Sequence, residues 1–220
     1  MNLHNSIKAS LSAARVGTYE TYVGGHAGVD QTKKALNLYM WNAQVSAAFL
    51  VPLHICEVVT RNALSEVLEK NYGQRWPWSV GFERSLPDPV RGYSPKKDLI
   101  NARRFQPTTG KVIPELKFVF WQKLLTSRFD QRLWNTDIFL AFPNAAGAGL
   151  STANVRQNIY DDLENIRKLR NRIAHHEPII TRPLEDDFSR IKRVVAYKNT
   201  DTLDWLQRNQ TLLPLLTLRP

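Results

Sequence analysis

From Asp30 to Gly73 the chain carries apolar residues at helical spacing with one break in the pattern, and this stretch constrains the fold more than any other. In DQTKKALNLYMWNAQVSAAFL, residues 30–50, Asp30 stands as N-cap, and Leu36, Met40 and Ala47 to Leu50 form an apolar stripe behind it. Pro52 has no N–H to donate to the preceding turn, so the sequence predicts a helix that ends before it. A second helix, LHICEVVTRNALSEVLEKNYG, is expected over residues 53–73 and stops at Gly73. Two amphipathic helices in succession must be covered by further elements with apolar faces of their own.

The rest of the chain supplies such elements. QRWPWSVGFERSLPDPVRGYSP, residues 74–95, holds four prolines and little periodicity and is expected to be a long proline-rich loop. KKDLINARRF reads as a short helix, followed by a turn at Pro107 to Gly110. A helix is expected over IPELKFVFWQKLLTSRF, residues 113–129, with proline in its first turn. FPNAAGAGL is a small-residue loop. From Ser151 a long helix is expected to run to about Glu177, because the residue before Pro178 is biased away from the helical region. PLEDDFSRIKRVVAYKN and DTLDWLQRNQ, within residues 182–210, read as closing helices. No alternating strand run and no tandem repeat is present. The expected class is all-α, a single helical domain over residues 1–220.

Composition narrows the function classes. At 43% hydrophobic and 10% aromatic the chain can bury a sizeable core. No run reads as the ~18 apolar residues of a membrane span, and the N-terminus lacks the apolar stretch of a secretory signal. The expectation is therefore no membrane and a cytoplasmic location. Cys56 is the single cysteine, which leaves no intrachain disulfide and no cysteine-based zinc site. Within LHICEVV it reads as a small buried hydrophobe.

The net charge of +10 is unevenly placed. Residues 91–132 hold 10 Lys/Arg against 3 Asp/Glu, whereas residues 1–90 hold 8 against 7. A concentrated basic surface attracts a polyanion, nucleic acid being the commonest. Lys96, Lys97, Arg103 and Arg104 are the candidate RNA contacts. Solubility charge is the other reading of the same residues. Tyr93, Phe105, Phe118, Phe120 and Trp121 interleave with the charge. At helical spacing they read as core more readily than as stacking platforms.

KLRNRIAHHEPI, residues 168–179, carries the chemistry. Ile159, Leu163, Ile166 and Ile173 line one helical stripe that packs inward. Arg167, Asn171 and His175 form a second row at i, i+4, i+8, away from that stripe. Arg170 lies ~140° around the helix from His175, so one straight helix does not aim both at the same point. Either the last turn unwinds before Pro178, or the two groups converge with copies from a second chain, and the second is the reading favoured. Cations at a helix C-terminus are also favourable through the dipole alone.

RNA carries its own nucleophile, the 2′-hydroxyl. Cleavage there requires a base, an acid for the leaving 5′-oxygen and cations for the phosphorane charge. Histidine serves as base or acid, arginine grips phosphate bidentately, and asparagine hydrogen-bonds an imidazole or a phosphate oxygen. No metal site and no cofactor are expected: there is no HExxH pattern and no carboxylate cluster that includes His175.

Other residues read more blandly. Glu57 and Arg61 sit at i, i+4 as a helix ion pair. The alternative has Arg61 and Asn62 facing the Arg170 helix, supporting it or touching RNA. Trp41 and Asn42 read as core with a buried hydrogen bond, Trp76 and Trp78 as a packed loop, and His54 as a satisfied core histidine.

Arg170-Asn171, three residues, then His175 resembles the signature of the HEPN superfamily of helical RNases. YMWNAQVSAAFLVPLHICEVVTRNALSEVLEKNYGQRW, LKFVFWQKLLTSRFDQRLW and IRKLRNRIAHHEPI are similar, in order and spacing, to the blocks of its Abi-like (abortive infection) branch, over roughly residues 36–185. The resemblance implies a HEPN-like helical bundle with additional helices. It implies a metal-independent endoribonuclease acting in phage defence or as a toxin, and a homodimer with the Arg170/His175 motifs at the interface. It also implies RNA as partner, with a neutralising antitoxin or small RNA as a further one. Arg170 and His175 carry over as the catalytic pair and Asn171 as their polar companion. His176, Arg167, Glu57 and Arg61 are additional candidates. A non-catalytic protein of the same fold, holding a small structured RNA, is the alternative.

Overall fold

The computed structural model describes residues 2–26 and 28–220, and every regular element among them is helical. The chain is all-α. Its spine is α3, Val29–Tyr72, one continuous helix of 44 residues and therefore ~66 Å long. The expected break at Pro52 does not occur. Pro52 is buried within the helix between Phe49, Leu53 and Cys56, all core residues. Only the bond to the Ala48 carbonyl is forfeited. Gly73, at φ 82, ends α3 by donating its N–H to the Glu69 carbonyl.

Two helices that the sequence pattern did not announce precede α3. They are α1, Leu3–Leu11, and α2, Ala13–Val23, which turn on Ser12 at φ 76. They pack back on α3 through Val16 and Tyr19, and Glu20 accepts hydrogen bonds from Lys8 and from Thr32 of α3. Those bonds, Lys8 first, hold the Glu20 carboxyl below its usual range.

The stretch 74–95 is not one long loop. A 3-10 turn at Trp76–Trp78 and a short helix, α4 (Val80–Ser85), divide it. Trp76 is fully buried, donates to Ser65 of α3 at 3.0 Å and meets Phe82 and Trp121 edge-on. The expected packed loop is thus a hydrophobic plug. The basic helix follows as α5, Pro95–Arg103, capped by Ser94.

The single helix expected over 113–129 is broken into α6, Thr109–Glu115, and α7, Phe118–Leu124. Leu116 and Lys117 are extended, and the Lys117 N–H is taken by the Asp98 carboxylate at 3.3 Å, which gives this backbone a partner outside a helix. Phe118, Phe120 and Trp121 are core, Tyr93 is half-buried with its hydroxyl donating to Asp98, and of this aromatic group Phe105 alone is largely exposed. A π-helical turn, Asp130–Trp134, and α8, Asn135–Ala141, complete the middle.

The second long element is α9, Thr152–Ala174, capped by Ser151. Its stripe, Ile159, Leu163, Ile166 and Ile173, is buried as the periodicity predicts. Its end comes three residues before the expected Glu177, and the geometry responsible is described below. The closing helices are α10, Leu184–Lys198, α11, Thr200–Asn209, and a further short helix, α12, Leu212–Thr217. Trp41 of α3 donates to the Leu215 carbonyl at 2.8 Å, so the C-terminal segment is fastened to the spine.

Two sequence expectations about α3 need correcting. His54 is exposed, not a core histidine. α3 also contains an 18-residue window of mean hydropathy 1.5, long and apolar enough by composition to cross a membrane, of which 39% is buried within the molecule. The low charge of that window follows from its core face, Leu38, Trp41, Val45, Phe49 and Leu53, together with exposed Met40, Leu50 and Val51 on the other side.

Asp162 joins α9 to α10. It is 2% exposed and accepts from Arg193 at 2.6 and 2.7 Å and from Arg190 at 3.1 Å. The carboxylate is buried, but both arginines keep about a third or more of their side chains in solvent, so they are rehydrated when it is lost. Asp162→Ala is expected to lower unfolding free energy by about 1–3 kcal/mol in urea titrations. A loss below about 1 kcal/mol would show that apolar packing alone holds the two helices together.

Candidate functional site

The residues singled out by the sequence gather on and around the C-terminal half of α9. Most of its cations are bonded within the chain. Arg156 donates to the Leu125 carbonyl and pairs with Asp130. Arg167 pairs with Glu164 at 2.8 Å and reaches buried Gln122. Lys168 leans on Glu164 at 3.5 Å. Arg172 donates twice to the Pro178 carbonyl, at 2.7 and 3.0 Å. Burial pushes the Glu164 carboxyl up, but the Gln122 and Arg167 hydrogen bonds and the adjacent positive charge bring it below its usual range. Glu164 is therefore a fixed anion that anchors Arg167.

Arg170, Asn171 and His175 are different. Among the described residues the guanidinium of Arg170, the amide of Asn171 and the imidazole of His175 have no side-chain hydrogen bond or ion pair. Arg170 and His175 are exposed and Asn171 is half-buried.

Arg170 and Asn171 line a cavity of about 410 Å³. The opposite wall comes from α3, through Glu57 and Arg61, which form the expected ion pair and are each more than four-fifths buried. The floor is the extended Leu116–Lys117 segment between α6 and α7. Arg167 completes the set. Arg61, Lys117, Arg167 and Arg170 thus face one space against the carboxylates of Glu57 and Glu115. The Nε of Arg61 is buried with no hydrogen-bond partner and is sealed from the cavity, so Arg61 meets this space through the rest of its guanidinium and its stem. The Glu57–Arg61 pair is the expected helix ion pair, and it also lines the cavity that Arg170 lines, whereas Asn62, expected beside Arg61, is exposed and does not line it. Lys117 and Glu115 were not singled out by the sequence. The break between α6 and α7 that brings them here has no periodic signal.

His175 lies at the end of α9 as its C-cap, with φ −94 and ψ 9. The chain then reverses at His176, φ 55. The His176 N–H donates to the Ile173 carbonyl at 3.0 Å and the Glu177 N–H to the Arg172 carbonyl at 2.8 Å. This nested pair is the Schellman arrangement, with histidine where glycine is usual. It ends the helix earlier than the Pro178 rule implies. The turn is held from both sides. Arg15 of α2 donates to the His176 carbonyl at 2.8 Å, and Asn42 of α3 accepts from the Ile179 N–H at 2.8 Å. The expected core role of Asn42 is thereby specified.

The last turn of α9 does unwind, yet it does not carry the histidines into the Arg170 cavity. His175 does not line that cavity, and His176 faces a different one on the side of α2 and α3.

The basic segment contributes less free charge than its composition suggests. Arg103 donates to the Pro77 carbonyl and pairs with Glu83, both at 2.5 Å, so it is fastened to the plug and is not available as the free RNA contact expected of it. Lys97 leans on Asp88 at 3.6 Å, Arg104 lies over Phe105, and Lys96 has no ion pair among the described residues. Cys56 is fully buried, and burial pushes its thiol up to about 12, which leaves no thiolate for nucleophilic work. No group of three or more His, Cys, Asp or Glu among the described residues is arranged to hold a metal ion. A scan of the chain against protein-family models, curated proteins and solved structures returns no match.

A histidine at positive φ carries steric strain of ~1–2 kcal/mol, although histidine tolerates this region better than most residues. His176→Gly is expected to raise stability by about 1 kcal/mol in urea unfolding, and His176→Ala to give no gain. A glycine variant less stable than the parent would show that the imidazole contributes to folding.

Proposed function

We propose that this chain is a metal-independent endoribonuclease of the HEPN type, acting as an abortive-infection effector or toxin. One observation carries the reading. The other cations of α9, Arg156, Arg167, Lys168 and Arg172, all have partners within the chain, and Arg190 and Arg193 of α10 do too. Arg170, Asn171 and His175, the residues at the motif spacing, have none among the described residues. Their side chains are therefore open to a ligand, where the other cations of the helix are already engaged in contacts within the chain.

On this reading the Arg170 guanidinium takes the scissile phosphate, with Arg61 behind it. Glu57 and Glu164 hold Arg61 and Arg167 in place. His175 removes the 2′-hydroxyl proton or protonates the leaving 5′-oxygen. Asn171 hydrogen-bonds a phosphate oxygen. The oxygen that attacks belongs to the substrate, so the products carry 2′,3′-cyclic phosphate and 5′-hydroxyl ends. Because Arg170 and His175 do not share a cavity within one chain, the active unit is a homodimer in which a second copy brings its motif to the same phosphate.

The test is cleavage of a mixed RNA pool in EDTA, with folding and mass measured in parallel. Wild type is expected to cut. His175→Ala should lose about 10²–10⁴-fold in rate and Arg170→Ala about 10²–10³-fold, with both variants folded, dimeric and still able to bind RNA. Cutting by His175→Ala at the parental rate would end the proposal. So would a wild type that binds RNA but leaves it whole, the behaviour of an RNA-holding scaffold.

A further inference from the structure

On the other side of the α9 end, between α2 and α3, lies a cavity of about 580 Å³. That is within the range of small-molecule sites, about 300–1,000 Å³. Its walls include two tyrosines, Tyr19 of α2 and Tyr39 of α3, with ring centroids 5.0 Å apart and planes inclined at 59°. Its apolar surface is formed by small or aliphatic side chains, Ala43, Ala47 and Leu50 of α3 and Ile173 of α9.

The polar groups that line it are built in. Asn42 is 6% exposed. Its Oδ1 is used by the Ile179 N–H, which fixes the amide plane. Its Nδ2 donors have no partner among the described residues. Tyr19 is 2% exposed, and its hydroxyl also has no such partner. Burial, with Tyr39 beside it and Arg15 opposing, pushes that hydroxyl up to about 12, so it remains a neutral donor at physiological pH. Neither atom is sealed inside the protein, since the buried side-chain atoms without partners are Thr60, Arg61, Trp121, Asp130 and Arg156 atoms. His176, with Arg15 bonded to its carbonyl, stands at the same cavity.

From this geometry we infer that the cavity is a nucleobase pocket, which takes an unstacked base of single-stranded RNA next to the site of cleavage. A planar heteroaromatic ring satisfies the three features together. It stacks on a tyrosine face, lies on a small-residue apolar surface, and offers ring-edge acceptors and donors to a fixed amide and a hydroxyl. An aliphatic ligand would leave the Asn42 and Tyr19 donors unpaired, and an anion would meet Arg15, already bonded to the His176 carbonyl, and the His176 side chain, with the carboxylate of Glu177 opposing both. The inference rests on the ribonuclease reading for its use, as the determinant of which base flanks the scissile phosphate. The chemistry of the pocket stands apart from cleavage and is tested without it.

The full chain, in EDTA, is titrated with each of the four ribonucleoside 5′-monophosphates and with ribose 5-phosphate as the base-free control. At least one nucleotide is expected to bind 10-fold or more tightly than ribose 5-phosphate. Asn42→Asp keeps the oxygen that receives the Ile179 N–H and replaces only the donor that faces the cavity. Tyr19→Phe removes one hydroxyl and keeps the ring. Each is expected to cut the preference for that nucleotide over ribose 5-phosphate by about 10-fold; the ratio is the readout because the carboxylate of Asn42→Asp repels both phosphates alike, and Tyr19→Phe is expected to leave ribose 5-phosphate itself unchanged. If Asn42→Asp does not fold, Tyr19→Phe decides alone. Equal binding of nucleotides and ribose 5-phosphate overturns the inference, as does an unchanged preference in the folded variants. Absence of nucleotide binding in a dimer that Leu50→Glu dissociates overturns it as well, because a second copy then fills the cavity. RNA left uncut in the same preparation bears on the ribonuclease reading, not on the pocket.

Discussion

The unbroken passage of α3 through Pro52 is the constraint on which the rest of the molecule depends. α2, α8, α10 and α12 all pack on this helix, and Glu57, Arg61, Tyr39 and Asn42 take their positions from it. Proline inside a helix costs about 3 kcal/mol or more. Burying one Phe or Leu side chain contributes about 1.5–3 kcal/mol, and Phe49, Leu53 and Val45 are all within a turn or two of Pro52 and fully in the core. Two such neighbours offset the proline. A break would turn half of the spine and take its buried stripe out of register. The helix is therefore retained because it is packed along both halves, not because of its local propensity.

From that spine follows the fixed position of the α9 terminus. The chain reverses at His176 in a conformation that disfavours histidine, and it is fastened there by Asn42 from α3 and Arg15 from α2. Glycine would make the same turn with less strain. Local strain of this kind is maintained only where surrounding contacts over-determine it, and the fastenings here come from elements distant in sequence. The helix end, two cavities and the unpartnered motif residues consequently form one neighbourhood whose geometry is set from α2 and α3 as much as from α9.

Periodicity made much of this legible. The buried stripe of α9, the closing helices, the α5 helix and the all-α class follow from spacing alone, since each depends on residues close in sequence. What could not be read depends on distant partners. Pro52 looked like a terminator because the rule is local and the compensation is tertiary. The α6–α7 break requires knowing that Asp98 takes the Lys117 N–H. α1 and α2 carry few buried residues, Val16 and Tyr19 among them, and so little pattern. Arg103 looked like a surface cation because composition counts charges and does not show that Glu83 and the Pro77 carbonyl receive it. At the candidate site the motif spacing pointed to Arg170, Asn171 and His175, and the Glu57–Arg61 spacing pointed to its facing wall. Tyr19 and Arg15 had no signal, because nothing near them in sequence connects α2 to the end of α9.

The division of the motif between two faces limits any chemistry assigned to it. His175 lies five positions beyond Arg170, ~140° around a helix, and the turn at His176 does not remove that separation. A site that needs both groups on one phosphate must then be completed by another body. A second copy is the simplest one, because it brings an identical helix end by symmetry and each motif serves the other. Exposed apolar residues of α3, Met40, Leu50 and Val51, of which Leu50 lines a cavity together with Ile173 and His176, provide surface that such a copy would cover. Pairing would also exclude water from Arg170, whose charge then acts on phosphate at a lower effective dielectric than it meets in the single chain. On the proposed reading, dimer formation thus supplies both the missing histidine and the environment in which the arginine is effective, and dilution should abolish cleavage more steeply than it abolishes RNA binding.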